Sequence, residues 1–290
     1  MVGIIGIVVI FATVFGGYVA AGGKIDIILH ALPHEMVMIC GAALGAFVLG
    51  NNFAGIKHTA KDVGKVFKGP RWKAADYRDL LCLLFELIRI ARSNPVALEE
   101  HIEKPGESSI FGRYPKIRKD HEAIDLICDT LRAASMNYDD PHQVEEVLDK
   151  RMEAAQEHAL HSSHALQSIA DGLPALGIVA AVLGVIKTMG SIDQPPEILG
   201  KMIGGALVGT FLGVFLAYGL VGPFGVRVKA VTDEDGHFYG LIREVLVANL
   251  HRHPPNICIE VGRQNTPHHV RPSFSDVEEV LRGLKQEAAA

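Results

Sequence analysis

Few residues in this chain have types and spacing that could do chemistry. Thr210 is the most polar residue deep in a long apolar run. Its hydroxyl either lines an interface or water path, or bonds back to the carbonyl one turn earlier. Pro174 and Pro223 stand near the ends of two such runs. A proline removes a backbone donor and fixes φ, so each can place a bend or free a carbonyl; Pro174, just after Asp171, equally suits the first turn of a helix. His158, His161 and His164 recur every third residue, but no cysteine or carboxylate set completes a metal site. They read as solvated surface, as do His251, His253, His268 and His269. Arg89, Arg92, Glu99 and Glu100 flank Ser93-Asn94-Pro95, where mixed charge makes a docking surface or simply a solvated face. There is no glycine-rich phosphate loop, no Ser–His–Asp spacing and no nucleotide fingerprint. No enzymatic chemistry, cofactor or resident metal follows from such a set.

The elements that must carry these residues are apolar helices. The chain has 290 residues and a net charge of −5, which suggests no nucleic-acid partner. Its charges are unevenly spread. Windows 1–23, 36–56, 172–190 and 202–226 contain one charged side chain, Lys187, out of 61, and 21 of the 30 glycines. Runs of about 20 apolar residues match a bilayer core in helical rise. Four candidate membrane helices follow, and with them an all-α, polytopic membrane protein rather than a soluble enzyme or a disordered chain. Residues 1–21 lack a basic leader and are too long for a signal-peptide core, so they read as a span. Cys40, Cys82, Cys128 and Cys258 are scattered and read as reduced thiols.

Basic residues set the orientation. Segment 24–35 carries only Lys24, whereas 51–171 carries 17 Lys and Arg and 227–290 carries eight. The positive-inside bias puts both large segments, and by parity the N-terminus, in the cytoplasm. The chain divides into a hairpin at 1–50, a cytoplasmic helical domain at 51–171, a second hairpin at 172–226 and a cytoplasmic helical tail at 227–290. Within the domain, 78–92 shows helical apolar spacing with Asp79, Glu86, Arg89 and Arg92 off the stripe, ended by Ser93-Asn94-Pro95. A second helix fits 116–134, and a third starts at Asp140-Pro141 and meets the third span at Asp171-Gly172-Leu173-Pro174. Ser275-Asp276-Val277-Glu278 has the capping-box pattern of a last short helix.

The fourth span carries Gly205, Gly209, Gly213 and Ala217 at four-residue steps, and the second carries Gly41 and Gly45. Such stripes let backbones approach closely in lipid, either around another subunit's helix or within this chain. None of the four windows holds Asp, Glu or His. Moving protons through lipid calls for an ionisable group. On this reading the chain either carries no ion, or another subunit supplies the titratable group.

Several stretches resemble the MotA family of flagellar motor stator proteins. They are PALGIVAAVLGVIKTMGSIDQPPEILG (174–200), GGALVGTFLGVFLAYGLVGP (204–223), RPSFSDVEEVLR (271–282), TVFGGYVAAGG (13–23), FVLGNN (47–52) and IFGRYPKIRKD (110–120). The resemblance covers essentially the whole chain. It implies a subunit of an ion-driven unit in the bacterial inner membrane, in which a pentameric ring surrounds two copies of MotB. MotB is a single-span protein that supplies a membrane aspartate and anchors the unit to peptidoglycan. The resemblance further implies that the cytoplasmic domain pushes on the rotor's switch-complex protein. Pro174 and Pro223 match the family's two functional prolines, and Thr210 matches the fourth-span threonine of its ion path. Glu99 matches a rotor-facing glutamate through the His101–Pro105 context. Arg92 matches the accompanying arginine less well, because this chain is slightly shorter between them, and Arg89 remains a substitute. Sodium-driven relatives carry a threonine where this chain has Ala181. A methyl group offers Na⁺ no oxygen ligand, which points to H⁺. An ExbB/TolQ-like energiser of outer-membrane processes is the alternative; those relatives have three spans and lack the tail motif.

Overall fold

The computed structural model describes residues 2–135 and 140–287; all described elements are helical. In chain order they are α1 (Val2–Ala20), α2 (Ile25–Gly50), α3 (Phe53–Asp62), α4 (Lys65–Lys68), α5 (Ala74–Ser93), α6 (Pro95–Glu103), α7 (Ser109–Gly112), α8 (Pro115–Arg118), α9 (His121–Ser135) and α10 (Pro141–Met189). Then come α11 (Pro196–Leu216), a π-helical segment (Ala217–Val221), α12 (Gly222–Leu250), α13 (Pro255–Asn265) and α14 (Phe274–Glu287). Four helical stretches are long and apolar enough to cross a membrane: Gly3–Ala20, Ile25–Gly50, part of Pro141–Met189 and part of Pro196–Leu250.

Packing divides the chain into two units: Met1–Gly69 with Ala159–Thr232, and Pro70–His158 with Asp233–Ala290. The borders at 50, 171 and 226 read from the sequence mark where hydropathy ends. The packing borders lie elsewhere because α3 and α4 belong with the apolar helices, and because α10 and α12 each carry residues of both units.

The first unit is held by close backbone approach. A Cβ on Gly177 of α10 would fall 2.7 Å from the Gly209 carbonyl oxygen and 3.0 Å from Gly213 Cα of α11. A Cβ on Gly184 would fall 2.7 Å from Ala206 Cβ. Larger side chains would hold α10 and α11 apart, which is why these positions are glycine. On the far side of α11, Phe211 and Phe215 pack edge-on against Phe15 of α1, with ring centroids 6.0 and 5.5 Å apart.

The second unit has a conventional apolar core. Every residue of α5 from Leu80 to Ile88 is buried. The expectation of one apolar stripe with a polar back is therefore too narrow, because α5 is covered on all sides and buries Glu86 as well. Trp72 lies flat on Phe238, with centroids 3.8 Å apart and planes at 5°. The Asn94 side chain accepts from the Ala97 amide at 3.2 Å and so starts α6 where α5 stops.

Three other sequence expectations change. The helix expected over 116–134 is two, because the Asp120 carboxylate accepts the Ala123 amide at 2.9 Å and restarts the chain as α9. No break separates 141–170 from the third span; α10 runs 49 residues through Pro174, and Asp171 accepts from Gln167 Nε2 at 2.8 Å instead of capping a helix. The last helix is capped by Ser273, whose hydroxyl accepts the Asp276 amide at 3.1 Å, not by Ser275.

Candidate functional site in the apolar unit

The site is built where α2, α10 and α11 meet. Gly209 lies at its centre: a Cβ there would fall 2.6 Å from Glu35 Oε2, 3.2 Å from Ala180 Cβ and 3.2 Å from the Ala181 amide nitrogen. Glu35 of α2, Ala181 of α10 and the Gly209–Thr210 step of α11 thus share one level. Gly213 adjoins the Leu173 carbonyl, so Pro174 stands at the next level along α10. Gly205 faces α2, where Ala31 Cβ would lie 3.8 Å from its own added Cβ. Gly209, Gly213 and Ala217 are buried against other helices of the same chain. The stripe is therefore packing surface inside this chain.

Thr210 is half-buried, and among the described residues its hydroxyl has no hydrogen-bond partner. Thr188, in contrast, bonds back to the Gly184 carbonyl at 2.9 Å. Of the two readings open for Thr210, the back-bonded one is not the geometry seen. Pro174 interrupts the ladder of α10 without ending it, leaving the Ala170 carbonyl without its usual amide partner. Pro223 is exposed and follows the π segment, where the Gly222 amide donates to the Ala217 carbonyl, five residues back. A proline ring crowds the carbonyl four residues earlier, and a one-residue widening of the helix relieves that crowding. Gln167, Tyr218, Gly222, Val226 and Arg227 line an open groove around it.

The sequence reading missed Glu35. The apolar windows leave 24–35 outside and contain no acid, but α2 begins at Ile25 and contains Asp26, His30, His34 and Glu35. Glu35 is 5% exposed, and its Oε2 has no hydrogen-bond partner among the described residues. The signal was available, since twenty residues counted back from Gly50 already reach Ala31. A window that ends at the first charge cannot register a charge that a helix buries.

In the second unit, Arg92 is exposed, but its guanidinium bonds Asn249 Oδ1 at 2.8 Å and also the His253 carbonyl. Arg89 donates to the Leu284 carbonyl at 3.3 Å. Both arginines tie α5 to neighbouring segments of their own unit, whereas Glu99 and Glu100 of α6 are exposed. Glu86 pairs with Arg113 and accepts from the Tyr114 hydroxyl at 2.8 Å. Burial and the Glu86 charge push the Tyr114 phenol above its ordinary range. One group of three side chains that could hold a metal ion occurs among the described residues: ligand atoms of His142, Glu145 and His251 lie within 4.8 Å of one another. Arg243 already occupies Glu145 at 2.9 Å, so a metal ion would have to displace a cation there.

Comparison with known proteins decides the family. Residues 4–95 match the Motility protein A N-terminal family, and residues 120–235 match the MotA/TolQ/ExbB proton channel family. The chain is 38% identical to Motility protein A of Escherichia coli over 283 residues, 97% of this chain and 95% of that one. The chain belongs to the MotA family. It is also 36% identical to the chemotaxis protein LafT of Vibrio parahaemolyticus, over 96% of this chain and 97% of the relative. The fold of this MotA-family chain is that of the C. jejuni MotAB structure, with TM-score 0.73 at 21% identity over 94% of this chain and 98% of that one. A second likeness, to the flagellar MotAB stator complex of Bacillus subtilis, has TM-score 0.66 at 22% identity, covering 89% and 92%. Family and apolar helices together make the chain an inner-membrane protein.

Proposed function

We propose that this chain is the MotA-type stator subunit of a flagellar motor. With a MotB-like single-span partner it forms a proton-conducting unit that converts ion flow into torque on the rotor. The observation that carries the reading is the whole-length match to curated MotA proteins, which joins the apolar helices and the helical second unit in one family pattern. The geometry supports it. The Thr210 hydroxyl is unsatisfied at the level of Ala181, and α10 exposes Ile178, Val182, Val185 and Ile186. An apolar face of this kind suits a partner helix.

In this reading the partner's membrane carboxylate takes and releases protons near Thr210 and Ala181, and the absence of a hydroxyl at Ala181 selects H⁺ over Na⁺. Neutralising a charge in a low-dielectric site changes which contacts are favoured. Pro174 and Pro223 allow α10 and the α11–α12 rod to respond. Close packing at Gly205, Gly209, Gly213 and Ala217 keeps the scaffold that presents the site to the partner. Protonation is driven by the membrane potential at about 2.3 kcal/mol per charge per 100 mV. The subunits form a pentameric ring around a MotB dimer, both termini face the cytoplasm, and the Glu99 region, with Arg89 and Arg92 behind it, meets the rotor's switch-complex protein.

The test is proton uptake in vesicles containing this chain alone and then with a MotB-like partner. Uptake is expected only with the partner. Equal uptake by the chain alone would overturn the reading, because the path would then lie wholly within one polypeptide.

A further inference from the structure

The buried carboxyl of α2 has no role in the scheme above. Fifteen residues of α2 follow Glu35 before the helix ends at Gly50, about 22 Å of helix. With Gly50 at the inner boundary, Glu35 lies inside a hydrocarbon core about 30 Å thick. It points inward, since its Oε2 occupies the space that a side chain on Gly209 would fill. Gly209 itself is an interior position of α11.

Among the described residues no hydrogen-bond donor reaches Glu35 Oε2. At this level α10 presents Ala180 and Ala181, and α11 presents Gly209. The adjoining titratable side chain is His34, its neighbour on α2; His30 and Cys40 lie five residues to either side, Asp26 lies more than two turns away, and Lys187 and Lys201 lie nearer the outer ends of α10 and α11. An acceptor buried without a donor is costly. Such a group persists when an exchangeable species completes it, and a lone carboxyl inside a membrane bundle marks an ion or proton route.

We propose that the Glu35 carboxyl, set into the gap at Gly209, is a proton-binding station that this chain contributes to the ion path. The inference rests on the stator reading and adds a second carboxyl to the partner's. On loading, hydronium from the outer side gives its proton to the carboxylate, an O–H bond forms at Glu35, and water is released. On discharge that O–H bond breaks, the proton passes to a water or to the partner's carboxylate, and the Glu35 carboxylate is restored. Gly209 is the gap that lets the carboxyl reach the level of Thr210.

The test uses the full chain co-expressed with its single-span partner. Proton current and membrane assembly are compared for the parent, Glu35→Gln and Glu35→Asp. Glu35→Gln should assemble like the parent but lose about a hundredfold of the current, the lower range for a lost proton-transfer group, and Glu35→Asp should retain most of it. Parent-level current in Glu35→Gln overturns the inference and leaves the stator reading standing. A parent pair that carries no current defeats the stator reading instead. If Glu35→Gln does not assemble, the parent pair is treated with an apolar carbodiimide, which modifies protonated membrane carboxyls, and is mapped by mass spectrometry. An adduct at Glu35 whose yield falls with rising pH supports the station; absence of that adduct overturns it.

Discussion

The two units are both helical, yet opposite rules hold them together. In the second, α5 is wrapped on every side, and Leu80, Leu84, Phe85, Phe111 and Phe238 are essentially inaccessible. In the first, the closest contacts involve Gly177, Gly184, Gly209 and Gly213, while Ile4, Val8, Leu44, Leu49 and Leu183 face outward. Water rewards burying large apolar side chains, at roughly 25 cal/mol per Å². Lipid gives no such reward, so helices there associate through close backbone approach and satisfied polar groups. The same large side chains therefore fill the core in one unit and cover the outside in the other.

That contrast is broken most severely at the glycines. Gly213→Leu would drive a side chain into the Leu173 carbonyl, 2.6 Å from where its Cβ must lie. Overpacking costs about 1–3 kcal/mol when neighbours can shift, and more against backbone. Loss of both stable membrane protein and motility is expected, by immunoblot and swimming assay; normal levels would show that α10 and α11 are not tightly joined. Next comes the mirror change in the second unit. Phe238→Ala deletes the ring stacked on Trp72 and should cost about 3–5 kcal/mol in thermal unfolding of the purified full chain. If the glycine variant were tolerated and Phe238→Ala harmless, the division of rules would fail.

A smaller effect is expected at Glu86, the buried charge of the second unit. Glu86→Ala removes the acceptor of the Tyr114 hydroxyl and the buried carboxylate that pairs with Arg113, at about 1–3 kcal/mol. Glu86→Gln should recover part of that in the same measurement, since an amide oxygen still accepts from Tyr114. Glu99→Lys should be the mildest. Glu99 is exposed, so stability should move by no more than about 0.5 kcal/mol. Motility should fall while membrane levels hold; a Glu99→Lys protein that fails to accumulate would contradict a surface role.

Glu35 and Arg92 show where reading the chain stopped short. Arg92 is exposed, as the chain suggested, but the chain did not show that Asn249 and His253, from a segment far away in sequence, engage its guanidinium. No local pattern announces such a partner. For Glu35 the hydropathy window ended at the first charges, although the helix continues back to Ile25. The prolines were legible as special positions. The responses to them differed, with an unbroken helix at Pro174 and a widened turn before Pro223, because each depends on what packs around the freed carbonyl.

Composition and order alone determined four apolar helices, a helical remainder, a likeness to stator proteins and the small-residue stripe. Those features are local sums or periodicities, and a chain carries them wherever it is placed. Tertiary structure decided which face of the stripe met which helix, that Gly209 leaves room for a carboxyl, that Thr210 keeps its hydroxyl free and that buried Glu86 is met by the exposed Arg113. Each of these is a distance between residues remote in sequence. Whether a polar group is stable there depends on the partners that packing brings to it, and one-dimensional spacing does not encode them.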